Sequence, residues 1–118
     1  MIKKIYEMEV DGKTVGFRFN MLAFGKACEL EGCDLTQLYS RLGIYGGDTN
    51  LLALNHFFFA AAINYAEGKN LPIDFTKQDV SDWLDIYGIE KSMEMMTEAF
   101  KSPQIKNGEA PKTEPNQQ

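Results

Sequence analysis

The sequence predicts an α+β fold: an N-terminal β-hairpin packed on a mostly helical domain of about five short helices, with a disordered C-terminal tail. Three observations carry this expectation. Residues 5–19 alternate in polarity around an Asp-Gly pair. Residues 21–101 hold a succession of apolar stripes at helical spacing, separated by capping residues and glycines. After Ser102 the composition changes abruptly.

In the first segment Tyr6, Met8 and Val10 point one way, and Glu7 and Glu9 the other. Val15, Phe17 and Phe19 repeat the pattern, with Thr14 and Arg18 opposite. A period of two marks half-buried strands. Asp11-Gly12 between them supplies the positive φ angles of a tight hairpin turn. One face of the hairpin is apolar and needs cover. A two-stranded sheet also has edges able to accept a further strand, and the sequence does not show which edge is free.

Helices follow in order. Asn20 caps a helix over 21–31, with Phe24, Ala27, Cys28 and Glu31 at helical spacing and Gly32 as its stop. Asp34 caps a second, whose Leu35, Leu38, Tyr39 and Leu42 form an amphipathic stripe. Gly43 and Gly46-Gly47 break it. A third helix, started by Asp48 or Thr49 and running over 51–67, is apolar almost all round and belongs at the centre of the domain. Gly68 and Asn70 end it, and Pro72 prevents a restart. Thr76-Lys77-Gln78-Asp79 reads as a capping box with Asp in place of Glu. It opens a fourth helix with Val80, Trp83, Leu84 and Tyr87 on one face, closed or kinked by Gly88. The fifth carries Ile89, Met93, Met96 and Phe100, flanked by Met95 and Ala99. Residues 1–101 thus form one domain. The stretch 102–118 contains three prolines and one large aliphatic residue, too little apolar surface to offset the entropy of ordering.

Composition narrows the function classes. The 118 residues suit one domain, and 44% hydrophobic residues suffice for one modest core. A net charge of -5, with Lys3-Lys4 as the longest basic run, argues against nucleic-acid binding. The N-terminus lacks the apolar run of a signal peptide, and the most apolar segment, 51–65, is shorter than a membrane span. The chain therefore reads as cytosolic. Cys28 and Cys33 read as free thiols of a reducing compartment; a disulfide is the lesser reading, and zinc lacks a second Cys pair.

No residue pattern points to catalysis. His56, the single histidine, sits mid-helix without a nucleophile motif and reads as a partly buried structural residue. Glu29, Glu31 and Asp34 cluster near the end of the first helix, and Asp79, Asp82 and Asp85 recur along the fourth. Paired carboxylates can bind metal or act as acid and base, but the second set lies away from the Trp83 face and reads as solvated. The glycines of RLGIYGGDTN lack the Lys of a phosphate loop. No cofactor is expected. The methionines of EKSMEMMTEAF do not all face one core on this reading. Core filling with one Met exposed accounts for them; an adaptable protein-binding surface is the other reading. Met93, Met96 and Phe100, with Trp83 on the preceding helix, are the candidate face.

The whole layout resembles the tail assembly chaperones of bacteriophages and prophages. The likeness rests on the hairpin IYEMEVDGKTVGFRF, the aromatic and alanine-rich LNHFFFAAAINYAEGKN, the Trp-bearing acidic DFTKQDVSDWLD, and the polar tail, across about residues 5–101. It implies a non-enzymatic protein of the host bacterial cytoplasm. Such a protein holds the tape measure protein soluble while tail tube subunits polymerise around it, and self-association is open. It also implies a short form that a ribosomal frameshift in the tail would extend. A phage structural component (a head–tail connector or tail subunit) and another small protein-binding module are the alternatives.

Overall fold

The computed structural model describes residues 5–101. The expected tail, 102–118, lies outside the described residues. The fold is α+β: strands β1 (Ile5–Val10) and β2 (Lys13–Arg18) precede helices α1 (Met21–Glu31), α2 (Leu35–Leu42), α3 (Leu51–Gly68), α4 (Lys77–Tyr87) and α5 (Ile89–Lys101).

The hairpin forms for the expected reason. Asp11 and Gly12 take φ of 52° and 83°, a two-residue turn whose twist matches the strands. Val10 then pairs with Lys13, Met8 with Val15, and Tyr6 with Phe17. Tyr6, Met8, Val10 and Phe17 are buried, with Phe19 just beyond. Lys13 occupies a core-facing register position yet stays exposed. Its ammonium sits 5.3 Å above the Trp83 ring, where the charge keeps solvent and the stem covers apolar surface.

Local chemistry sets the helix ends. Asn20 Oδ1 accepts from the Leu22 and Ala23 amides, and Gly32 closes α1 in the left-handed conformation. Asp34 and Gln37 form a reciprocal capping box on α2, and Thr76 and Asp79 another on α4. Two expected boundaries shift. Asn50, not Asp48 or Thr49, caps α3 by accepting from the Ala53 amide at 3.1 Å. The Thr49 hydroxyl instead donates to Leu42 O, tying the loop back to α2. Gly68 is the last turn of α3 rather than its stop, and Asn70, at φ 56°, takes the left-handed position.

Helix α3 is the spine, with α1, α2, α4 and β2 all packed on it. Its Phe57 and Phe58 face the hairpin's Phe17 and Phe19. Phe17 meets Phe58 edge-on at 5.1 Å, and Phe57 lies 5.1 Å from Phe19 and 5.5 Å from Phe24. Ala60, Ala61 and Ala62 are buried without bulk, which lets neighbouring backbones approach. α5 then covers the open side: Phe100 stacks on Phe57 at 5.4 Å and meets Tyr39 of α2 at 5.0 Å.

Candidate protein-binding surface

The face expected to bind a partner is mostly inside. Met96 is 3% exposed, Phe100 7% and Trp83 9%; only Met93 is half-buried. Trp83 packs against Phe17 and Phe75 at ring distances of 6.4 and 5.4 Å. Met95 is buried beside Met96, and Met93 packs against the same core. The expectation that the three methionines do not all face one core is therefore corrected. At 100° per residue, Met95, Ala99, Met96, Phe100 and Met93 span an arc of about 160°, which a helix laid across an open core can bury. In this arrangement Trp83, Met96 and Phe100 are not part of the free surface.

The expected polar residues have structural work. Glu31, at the end of α1, has a side chain only 8% exposed and meets side chains from two other helices. Its Oε1 accepts from Arg41 Nη1 of α2 at 2.9 Å, and its Oε2 lies 2.5 Å from His56 Nδ1 of α3. A carboxylate only accepts, so the proton of this bond is on Nδ1. Arg41 also donates to Glu31 O at 3.0 Å. Burial alone would raise the Glu31 carboxyl, but the bonds from His56 and Arg41 prevail and hold it below the usual carboxylate range. The three side chains staple α1, α2 and α3 together, and His56 is the partly buried structural residue the sequence suggested. Cys28 and Cys33 are free thiols, and burial, reinforced by Cys33 and Asp34, pushes Cys28 up, away from the reactive thiolate. Asp82 and Asp85 are exposed, and Asp79 serves the α4 cap. Among the described residues no group of three His, Cys, Asp or Glu side chains is placed to hold a metal ion, and no helix is long and apolar enough to cross a membrane.

Exposed apolar side chains gather at two helix starts, Met21 and Leu22 of α1 and Leu51 and Leu52 of α3. Met21 is 81% exposed and Leu22 69%. With Gly25, Lys26 and Glu29 they border a groove of about 500 Å³ against Ala60, Ile63, Asn64 and Glu67 of α3. The groove is walled by Met21, Leu22 and Ile63, and Gly25 leaves open space where a side chain would stand. Its polar rim carries Glu29, Glu67 and Lys26, the last 3.6 Å from Glu29. A second hollow of about 400 Å³ lies between the start of α3 and α4. Leu51 and Leu52 are exposed there, but Asn55, His56, Lys77, Gln78, Ser81 and Asp85 make it mixed in character.

Sequence reasoning missed the α1 groove, although a signal was present. Around α1, the buried Ala23 and Ala27 define the core side. Met21, Leu22, Gly25, Lys26 and Glu29 fall in an arc of about 140° on the opposite side. Two large apolar residues on a face otherwise occupied by Gly, Lys and Glu have no core to fill. No protein-family model, curated protein or solved structure matches the chain.

Proposed function

We propose that the chain is a tail assembly chaperone that binds and solubilises the tape measure protein during tail tube assembly, without catalysis, in the host bacterial cytoplasm. The observation that carries this reading is the open apolar groove between α1 and α3, walled by Met21, Leu22 and Ile63. An amphipathic helix presents apolar side chains at i, i+3, i+4 and i+7, and a groove between two helices accepts that pattern. Methionine adapts to varied client side chains, so one groove serves many segments of a long helical client. Full burial of Met21 or Leu22 against a client is worth about 1.5–3 kcal/mol each, enough to hold a segment and weak enough to release it. The acidic body, at -5, keeps the loaded complex in solution.

Co-expression with a tape measure protein tests this. The wild-type chain is expected to keep the client soluble and to co-purify with it. The double variant Met21→Ser/Leu22→Ser is expected to fold normally and lose most of the client. A client left insoluble and unbound by the wild-type chain would overturn the proposal. So would light scattering that shows the chain forming a stable ring or tube, the behaviour of a structural component.

A further inference from the structure

The two edges of the hairpin are not equivalent. The two-residue turn makes Val10 and Lys13 a hydrogen-bonded pair, so alternation makes Met8–Val15 and Tyr6–Phe17 hydrogen-bonded pairs as well. The backbone groups of Thr14, Gly16 and Arg18 therefore point out from β2, and those of Ile5, Glu7 and Glu9 point out from β1.

Helix α3 covers the Gly16 and Arg18 end of the β2 edge. Asn64 Nδ2 donates to Arg18 O at 3.0 Å, in keeping with that alternation. The Tyr65 ring lies only 2.3 Å from where a Cβ on Gly16 would stand, so this flank is sealed against the strand. The β1 edge has no such cover: among the described residues none hydrogen-bonds the outward backbone groups of Ile5, Glu7 or Glu9. Their side chains are exposed as well.

Beside β1 lies a cavity of about 330 Å³. Glu7 of the strand and Glu94 of α5 line it, together with Tyr87 and, among the described residues, one cation, Lys91. The Lys91 ammonium sits 5.2 Å above the Tyr87 ring. The flank of the open edge is therefore acidic, and Glu9 extends it along the strand.

We propose that the β1 edge accepts a strand from a partner protein, an extended segment with Lys or Arg at alternate positions. The backbone groups of Ile5, Glu7 and Glu9 would supply the ladder, and the partner's alternate side chains would meet Glu7, Glu9 and the acidic cavity. A second copy of this chain fits poorly, because centre-aligned β1 strands set Glu7 against Glu7 or Glu9, and like charges directly opposite are destabilising. A helical partner has no free backbone groups to offer the edge. This site is separate from the α1 groove and does not depend on the chaperone reading.

Amide exchange and calorimetry on the full chain test the proposal, with a synthetic peptide of about ten residues that alternates Lys with Val or Thr as the probe. Adding the peptide is expected to slow exchange at Glu7 and Glu9 and leave Thr14 and Gly16 unchanged. Replacing the peptide's lysines by glutamates is expected to abolish binding. Glu7→Pro removes an outward N–H while sparing the hairpin's own bonds, and should weaken binding by roughly tenfold or more. The variant Glu94→Lys changes α5 alone and should also weaken it. Met21→Ser/Leu22→Ser should have no effect, which separates this site from the groove. Unchanged exchange at Glu7 and Glu9 in the wild-type chain would overturn the proposal, as would undiminished binding by a folded Glu7→Pro variant. If Glu7→Pro does not fold, the wild-type exchange and the α5 charge reversal decide the matter.

Discussion

Helices α5 and α1 both carry methionines, and they place them on opposite sides of the molecular surface. On α5, Met95 and Met96 are buried and Met93 packs on the same core. On α1, Met21 stands in solvent beside Leu22. The α5 methionines follow a clear helical stripe, and the stripe is what a core needs. The α1 residues stand off the Ala23 and Ala27 face, and nothing inside the molecule is left for them to cover. An apolar residue that fits the local stripe thus reports on the core. One that breaks the stripe marks the surface where a partner would dock.

The comparison breaks most sharply under substitution. Phe57→Ala removes a fully buried ring that touches Phe19, Phe24 and Phe100, and should destabilise the fold by about 3–5 kcal/mol in urea denaturation. Met96→Ala on the α5 stripe should follow at about 2–4 kcal/mol. Met21→Ala should change stability by less than about 0.5 kcal/mol. Equal losses for Met96 and Met21 would erase the distinction between an inward and an outward methionine.

Asn64→Ala tests the seam between α3 and the hairpin. Asn64 bonds Arg18 O at 3.0 Å and the capping Asn20 Oδ1 at 2.6 Å, both partly buried. Their loss should destabilise the chain by about 1–3 kcal/mol and speed amide exchange in the first turn of α1. A neutral result would mean that the Tyr65 contact alone covers that end of the β2 edge.

The smallest effect is set by pH. The folded Glu31 carboxyl lies below its unfolded value of about 4.3, so its contribution is present above that value and is lost as pH falls through the folded one. Glu31→Gln should therefore flatten the acid limb of the stability profile below about pH 5. An unchanged acid limb would show that the α1–α2–α3 staple does not rest on the charge of Glu31.

Much of the fold was legible because its determinants are local. The Asp11-Gly12 turn, the caps at Asn20, Asp34 and Thr76, and the stops at Gly32 and Gly88 follow from backbone chemistry within a few residues. The cap of α3 was misplaced by one or two positions because Asp48, Thr49 and Asn50 are all competent caps. The choice of Asn50 leaves Thr49 to bond Leu42 O, a contact the local sequence does not specify.

The candidate binding face on α5 lies mostly inside for a different reason. Helical periodicity identifies which side chains share a face of α5, but not whether another element lies over that face. Phe57, Phe24 and Tyr39, drawn from three other helices, meet Phe100 and take the stripe inward. The same limit applies to the sheet. Alternation alone established the strands, the turn and the apolar face, whereas the packing of α3 decided which edge is covered. Burial is a relation between distant segments, so the sequence by itself determined the elements and their sidedness. Only the tertiary structure decided which sides remain open to a partner.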